Sequence, residues 1–247
     1  MGYTIAIAGK GGTGKTTIAA ILVRLIKEKN PGSILAVDAD PNSNLAEALG
    51  VSTKATIGSI LDDISSHPEK VPQGMPKDAF IEYQVETAIE ESDGFDLLSM
   101  GHPEGPGCYC YVNNCLRNIV GKIINNYRYI VIDNEAGLEH LSRRTTRVAD
   151  VLLVISDHTA AGLRAADRIM HIVKELKIKT QKNCLLINRF DGNIDKDKIR
   201  DLSLDYLGNI PQDDNIISLS SDGISLLKLK EDSVSIKALR KIKDKIL

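Results

Sequence analysis

The chain is poor in cysteine, with four in 247 residues, too few for the disulfide framework of a small secreted domain. It has no marked excess of charge of either sign: 31 basic against 33 acidic residues leave a net charge of −2. No overall basic field therefore attracts nucleic acid or an anionic membrane. No apolar run approaches the roughly 20 residues of a membrane-spanning helix. The opening MGYTIAIAGKGG has no basic segment ahead of its apolar residues, unlike a secretory signal. Internal repeats, low-complexity tracts and long linkers are also missing. Together these absences point to a reducing cytoplasm, where neighbouring cysteines more often serve metal or redox chemistry.

What is present is the composition of a globular protein, 43% hydrophobic and 26% charged. Short apolar stretches at 3–9, 33–40, 96–101, 129–134, 151–157, 183–189 and 206–211 alternate with longer amphipathic ones, among them 15–30, 162–179 and 235–247. Most of the short runs are continuously apolar and β-branched, as strands buried on both faces should be. Strand–helix–strand alternation predicts an α/β fold: a mostly parallel, twisted sheet with helices on both faces. We expect one domain over 1–247. The stretch SSHPEKVPQGMPKD, punctuated by proline and glycine, predicts an irregular insertion around 62–95.

The strongest motif is GKGGTGKTT at 9–17, which fits G-x-x-x-x-G-K-[ST] between a strand and a helix, the context that makes it a P-loop. Gly9, Gly11, Gly12 and Gly14 let the backbone wrap phosphate oxygens. Amide N–H groups from Lys10 through Thr17, Thr13 included, then face the anion at a helix N-terminus. Lys15 would reach the β- and γ-phosphates, and the Thr16 hydroxyl would ligate Mg²⁺. AVDADPNSNL places Asp38 and Asp40 at the end of a buried strand, and YIVIDNEAG places Asp133 at the end of another. Open α/β sheets bind ligands outside such carboxyl ends. Carboxylates near phosphates imply a bridging metal, with Thr16, Asp38 and Asp133 as its magnesium residues.

Lys10, directly after the first glycine, makes KGGTGKTT resemble the deviant Walker A motif of the family holding nitrogenase iron protein, MinD and ParA. That resemblance implies a P-loop ATPase that works as a homodimer, with Lys10 reaching the partner's nucleotide and Lys15 and Asp40 completing the catalytic set. Asp40 matches the switch I aspartate that orients the attacking water. Asp133 matches the Walker B residue that holds Mg²⁺ through a water, and Gly137 the switch II glycine facing the γ-phosphate. LINRF resembles the family's base-reading strand end, with Asn188 on the adenine and Arg189 over it. In GNIPQDD, Pro211 with Gln212 and Asp213 would cover the other face. No N-K-x-D run reads guanine, so ATP is expected over GTP.

Three of the cysteines fall in EGPGCYCYVNNC. Thiolates suit zinc or nickel, but one C-x-C half-fills a four-coordinate site. Two copies of Cys108 and Cys110 meeting on a two-fold axis would supply four sulfurs. The pair and its flanks resemble the CooC-type accessory ATPases that assist nickel insertion into carbon monoxide dehydrogenase, which would make that enzyme the client. The same loop resembles the one carrying the first cluster cysteine of iron proteins, but no cysteine lies between Cys115 and Cys184 to supply their second ligand. An iron–sulfur reductase and a MinD- or ParA-like positioning ATPase remain alternatives, and zinc remains possible in the same site. Cys115 could be a ligand, a resolving thiol or a packing residue. His102 could be a ligand or a loop histidine. Cys184 is expected in the core, and the final amphipathic stretch is expected to pack against the domain rather than lie on a lipid surface.

Overall fold

The computed structural model describes residues 2–29, 32–40, 42–101, 118–135 and 148–247. Seven expected strands are present as β1 (Tyr3–Gly9), β2 (Ile34–Asp38), β4 (Phe95–Ser99), β5 (Tyr129–Asp133), β6 (Val148–Ser156), β7 (Lys179–Asn188) and β8 (Asp205–Ile210). An eighth, β3 (Glu90–Ser92), is antiparallel to β4 and forms the sheet edge. The strand order is β3-β4-β2-β5-β1-β6-β7-β8, with every pairing from β4 onward parallel. This is the α/β fold expected from the alternation.

Alternation along the strands explains the layers. Ile5 and Ile7 of β1 face one side, where they join α1 (Lys15–Lys27), α2 (Asn44–Leu49) and the C-terminal α8 (Val234–Ile246). Ala6 and Ala8 face the other side, against α6 (Ala160–Glu175). On that second side Leu35, Val37, Ile130 and Ile132 pack on α3 (Ile57–Ser66), α4 (Lys77–Thr87) and the helical residues 118–124, called α5. Both faces are apolar, so the central strands read as continuous hydrophobic runs. Cys184 of β7 is in the core, as expected.

The expectation for 62–95 needs correction. The segment is largely helical: it contains the end of α3, a 3-10 turn at Pro68–Lys70, α4 and then β3. Proline and glycine break the links between these elements rather than the elements themselves. Thr56 and Ser59 form a reciprocal capping box that starts α3. The β3–β4 turn is Asp93-Gly94, with Gly94 at φ 78°, a two-residue hairpin signal that sequence reading could have caught. Its first strand, Glu-Glu-Ser, hid the hairpin because a polar edge strand has no apolar alternation.

Helix α8 is bound along its length. Ile236, Leu239, Ile242 and Ile246 are 0–4% exposed, and Arg240 bridges to Glu28, the C-cap of α1, and to Glu231 at 2.9 and 2.7 Å. Among the described residues no helix is long and apolar enough to cross a membrane. Leu239→Ala is expected to lower unfolding stability by about 2–5 kcal/mol, the usual cost of emptying a closed core position. Urea titration followed by circular dichroism measures it, and a midpoint unchanged from the parent would contradict this account of the helix.

Candidate nucleotide site

The loop between β1 and α1 owes its shape to three glycines. Gly9, Gly12 and Gly14 have φ of 158°, 79° and 90°, and the last two lie where L side chains are strained. A Cβ on Gly14 would stand 2.4 Å from Asn188 Nδ2, and one on Gly9 would stand 2.3 Å from the Ile155 carbonyl oxygen. The Thr13 hydroxyl and N–H both donate to the Lys10 carbonyl, at 2.8 and 3.3 Å, closing the tip of the loop. Thr13 and Lys15 are buried, Thr16 and Thr17 half-buried, Lys10 and Gly11 exposed. The free N–H groups of α1 therefore open toward the carboxyl ends of the strands, where an anion is stabilised.

Two carboxylates meet there because β2 and β5 are neighbours whose last residues, Asp38 and Asp133, are register partners. Asp38 is fully buried and accepts the Asp40 N–H at 3.2 Å and the Leu45 N–H at 2.8 Å. Burial, with Asp133 and Asp40 nearby, pushes its pKa up to about 7 despite those bonds. Asp133 is 1% exposed, and neither of its oxygens has a hydrogen-bond partner of good geometry. Burial raises its pKa to about 6, with the Thr16 hydroxyl and the Lys15 charge pulling the other way. A buried carboxylate with both oxygens unmatched is the donor that a hard divalent cation requires. Thr16 and Asp133 thus fit Mg²⁺ well; Asp38 fits less directly, because its oxygens already accept backbone N–H groups. Asp40, two residues past Asp38, is half-buried, and its Oδ1 accepts the Asn42 N–H and side-chain amide, both at 2.9 Å.

The base-side residues converge as well. Asn188 is buried and donates through Nδ2 to the Thr13 carbonyl at 2.8 Å. Arg189, at φ 56°, reaches the Gly12 carbonyl at 3.4 Å. These two with Thr17, Pro211, Gln212 and Asp213 line a cleft of about 250 Å³. Asp213 lines the cleft while its carboxylate is taken up by protein hydrogen bonds. Sequence reading missed Asp157, which follows β6 close enough to feel the Lys10 charge. Burial opposes its ionisation, but the Thr159 donors and Lys10 more than offset this and hold its pKa below the usual range. Gly137, Cys108, Cys110, Cys115 and His102 lie outside the described residues.

A glycine loop joining the first strand of a parallel sheet to a buried helix, with strand-end carboxylates beside it, defines a P-loop nucleotide-binding protein. Residues 4–226 match the CobQ/CobB/MinD/ParA nucleotide binding domain, and the chain belongs to that family. It is an ATP hydrolase of the MinD/ParA type. The chain is 39% identical to an uncharacterized ATP-binding protein of Methanocaldococcus jannaschii, across 98% of each chain. It is 29% identical to the carbon monoxide dehydrogenase accessory protein CooC of Rhodospirillum rubrum, across 91% of this chain and 89% of that one. Its fold superimposes on MinD of Pyrococcus horikoshii, solved with Mg-ADP, with a TM-score of 0.71 at 22% identity, across 100% of this chain and 96% of that one.

The raised carboxyls have a consequence for stability. A folded-state pKa of about 6 for Asp133, above the ordinary carboxyl value of 3.8, means that between these two values the folded state holds a proton that the unfolded state gives up. That contribution is complete below pH 4 and is lost as pH rises through 6. In EDTA without nucleotide, Asp133→Asn should therefore be more stable than the parent at pH 8, by on the order of 3 kcal/mol. The difference should vanish near pH 4. Thermal melts from pH 4 to 8 check this, and parallel curves for the two proteins would refute it.

Proposed function

We propose that the protein is a Mg²⁺-dependent ATPase, a single unit over 1–247, that works as a cytoplasmic homodimer. We propose further that it binds nickel between protomers and passes it to carbon monoxide dehydrogenase. Kinship with CooC along nearly the whole chain carries the second part, together with the C-x-C pair Cys108 and Cys110. Zinc is the competing ion for the same thiolates.

The nucleotide half follows from the site. The loop amides from Gly9 to Thr17 and the Lys15 ammonium bind the phosphates. Thr16 and Asp133, with Asp38 behind them, would hold Mg²⁺, which supplies charge neutralisation on the phosphate oxygens when bound. Asp40 orients the attacking water. Lys10 is exposed on the loop, which suits a lysine that acts on the partner's nucleotide, and Gly137 would offer its N–H to the γ-phosphate. On the base side, Asn188 Nδ2 gives one N–H to the Thr13 carbonyl, and Oδ1 is an acceptor matched to the amino group of adenine. Arg189 stacks over the base, with Pro211, Gln212 and the Asp213 backbone on the other face.

A MinD-like positioning role is the second reading, supported by 28% identity to MinD of Thermotoga maritima over 91% of this chain. The burial of the apolar face of α8 weighs against a lipid-binding version of it. An iron–sulfur reductase would show itself as a brown protein after anaerobic purification.

Anaerobic nickel titration with mass readout is expected to give one nickel per two chains. Cys108→Ser/Cys110→Ser should abolish that uptake while ADP affinity is retained; persistence of tight nickel binding in the double variant removes the thiolate site. Lys10→Ala should lower ATPase kcat by about 100-fold or more, the scale of losing one charge aimed at the transferring phosphoryl. ADP affinity should stay within about threefold, as a lysine serving the partner's nucleotide leaves its own loop intact. Equal losses in kcat and ADP affinity would place Lys10 in its own protomer's site.

A further inference from the structure

Asp213 lines the base cleft, yet its carboxylate makes its bonds inside the protein. Oδ1 accepts the Asn215 N–H at 3.1 Å and the Asn215 side-chain amide at 2.9 Å, which caps α7 (Asp214–Ser221). Oδ2 accepts the Ser233 and Ser235 hydroxyls and the Ser235 N–H at 3.2 Å. All three residues are buried: Asp213 is 5% exposed, Ser233 3% and Ser235 0%. Ser233 is itself the N-cap of α8. One carboxylate thus starts one helix and is anchored in the first turn of another.

The position of this knot gives it a function. The wall of the cleft formed by Pro211, Gln212 and Asp213 follows directly on β8, and β8 fixes only its near end. At the far end, α7 contributes no fully buried residue, only the half-buried Ile216 and Leu219 against the core, so apolar packing alone holds the loop there weakly. The Asp213 carboxylate supplies the second fixed point, because α8 is locked to the core by its apolar face. Charge-assisted hydrogen bonds in a site closed to water are strong and directional. A wall held at both ends meets the base without further ordering, which is how preorganisation raises affinity.

We propose that Ser233 and Ser235 are positioning residues for nucleotide recognition: by gripping Asp213 they set the 211–213 wall at the spacing from Asn188 and Arg189 that a purine base fills. The proposal rests on the reading of this cleft as the base site. It assigns to the start of the last helix a role in ligand binding at the carboxyl end of β8. Neither serine touches the ligand.

The test compares two ligands by calorimetry in Mg²⁺. ADP uses both the phosphate loop and the base cleft, whereas tripolyphosphate uses the loop alone. The parent should bind ADP more tightly than tripolyphosphate. Ser233→Ala/Ser235→Ala should weaken ADP binding about tenfold, the scale of losing two bonds to a buried charge, and leave tripolyphosphate binding unchanged. Ser235→Ala alone, which keeps the α8 cap, should lose about threefold, and Ser233→Thr should retain full affinity because it keeps the hydroxyl. Unchanged ADP affinity in the double variant overturns the proposal, as does an equal loss for both ligands, which would mark a general folding defect. A parent that binds ADP no more tightly than tripolyphosphate defeats the base-cleft reading itself, and the proposal with it.

Discussion

Asp38 and Asp133 end adjacent parallel strands, side by side, nearly devoid of water, one residue row from a loop built for polyphosphate. Two such carboxylates resist joint ionisation, and both are pushed up toward neutrality. The arrangement is costly for the protein alone and becomes favourable once a cation and its phosphates share the site. The parallel register fixes this juxtaposition, and the sheet order sets it beside the phosphate loop. With β1 between β5 and β6, the loop leaving β1 must pass over the ends of both, and the chain runs toward β2 on one side and toward β8 on the other. The crevice at that divergence is where open α/β sheets hold their ligands.

The phosphate loop is in turn fixed from behind. Asn188 and Arg189, at the end of β7, reach the carbonyls of Thr13 and Gly12, while Gly14 leaves room for the Asn188 amide. Base-side and phosphate-side elements are therefore one hydrogen-bonded unit. A ligand that fills both halves gains from a framework already in place rather than one ordered on arrival. This also explains why Asn188 is buried although it faces a cleft: one end of its amide is structural and the other is left for recognition.

Much of this was legible in the sequence. A buried parallel strand advertises itself as an apolar β-branched run, so the seven longer strands could be placed within a few residues. The loop glycines, Lys15, Asp38 and Asp133 could be read because phosphate chemistry restricts residue type and spacing together. The hairpin strand at 90–92 was hidden by its polarity, and helices α3 and α4 by prolines that punctuate the link between them. Asp213 lines the cleft beside Pro211 and Gln212, and its carboxylate also serves as a double anchor. That role depends on Ser233 and Ser235, some twenty residues away, and no local pattern links them. Asp157 escaped notice for the same reason: its neighbour Lys10 lies on a different strand end.

The last helix bears on which function the family fold serves here. Its sequence reads as an amphipathic segment, with lysines opposite a row of isoleucine and leucine, and such a segment could lie on a lipid surface. In the structure the four apolar residues of that row are 0–4% exposed. Each is worth roughly 1.5–3 kcal/mol when buried, so the row holds about as much free energy as a whole domain has to lose. Entering a membrane would regain the helix's share but would bare the matching faces of α1 and β8, and it would release Ser233 and Ser235 from Asp213. The physical cost therefore weighs against the use of α8 as a lipid anchor and keeps the helix as part of the frame.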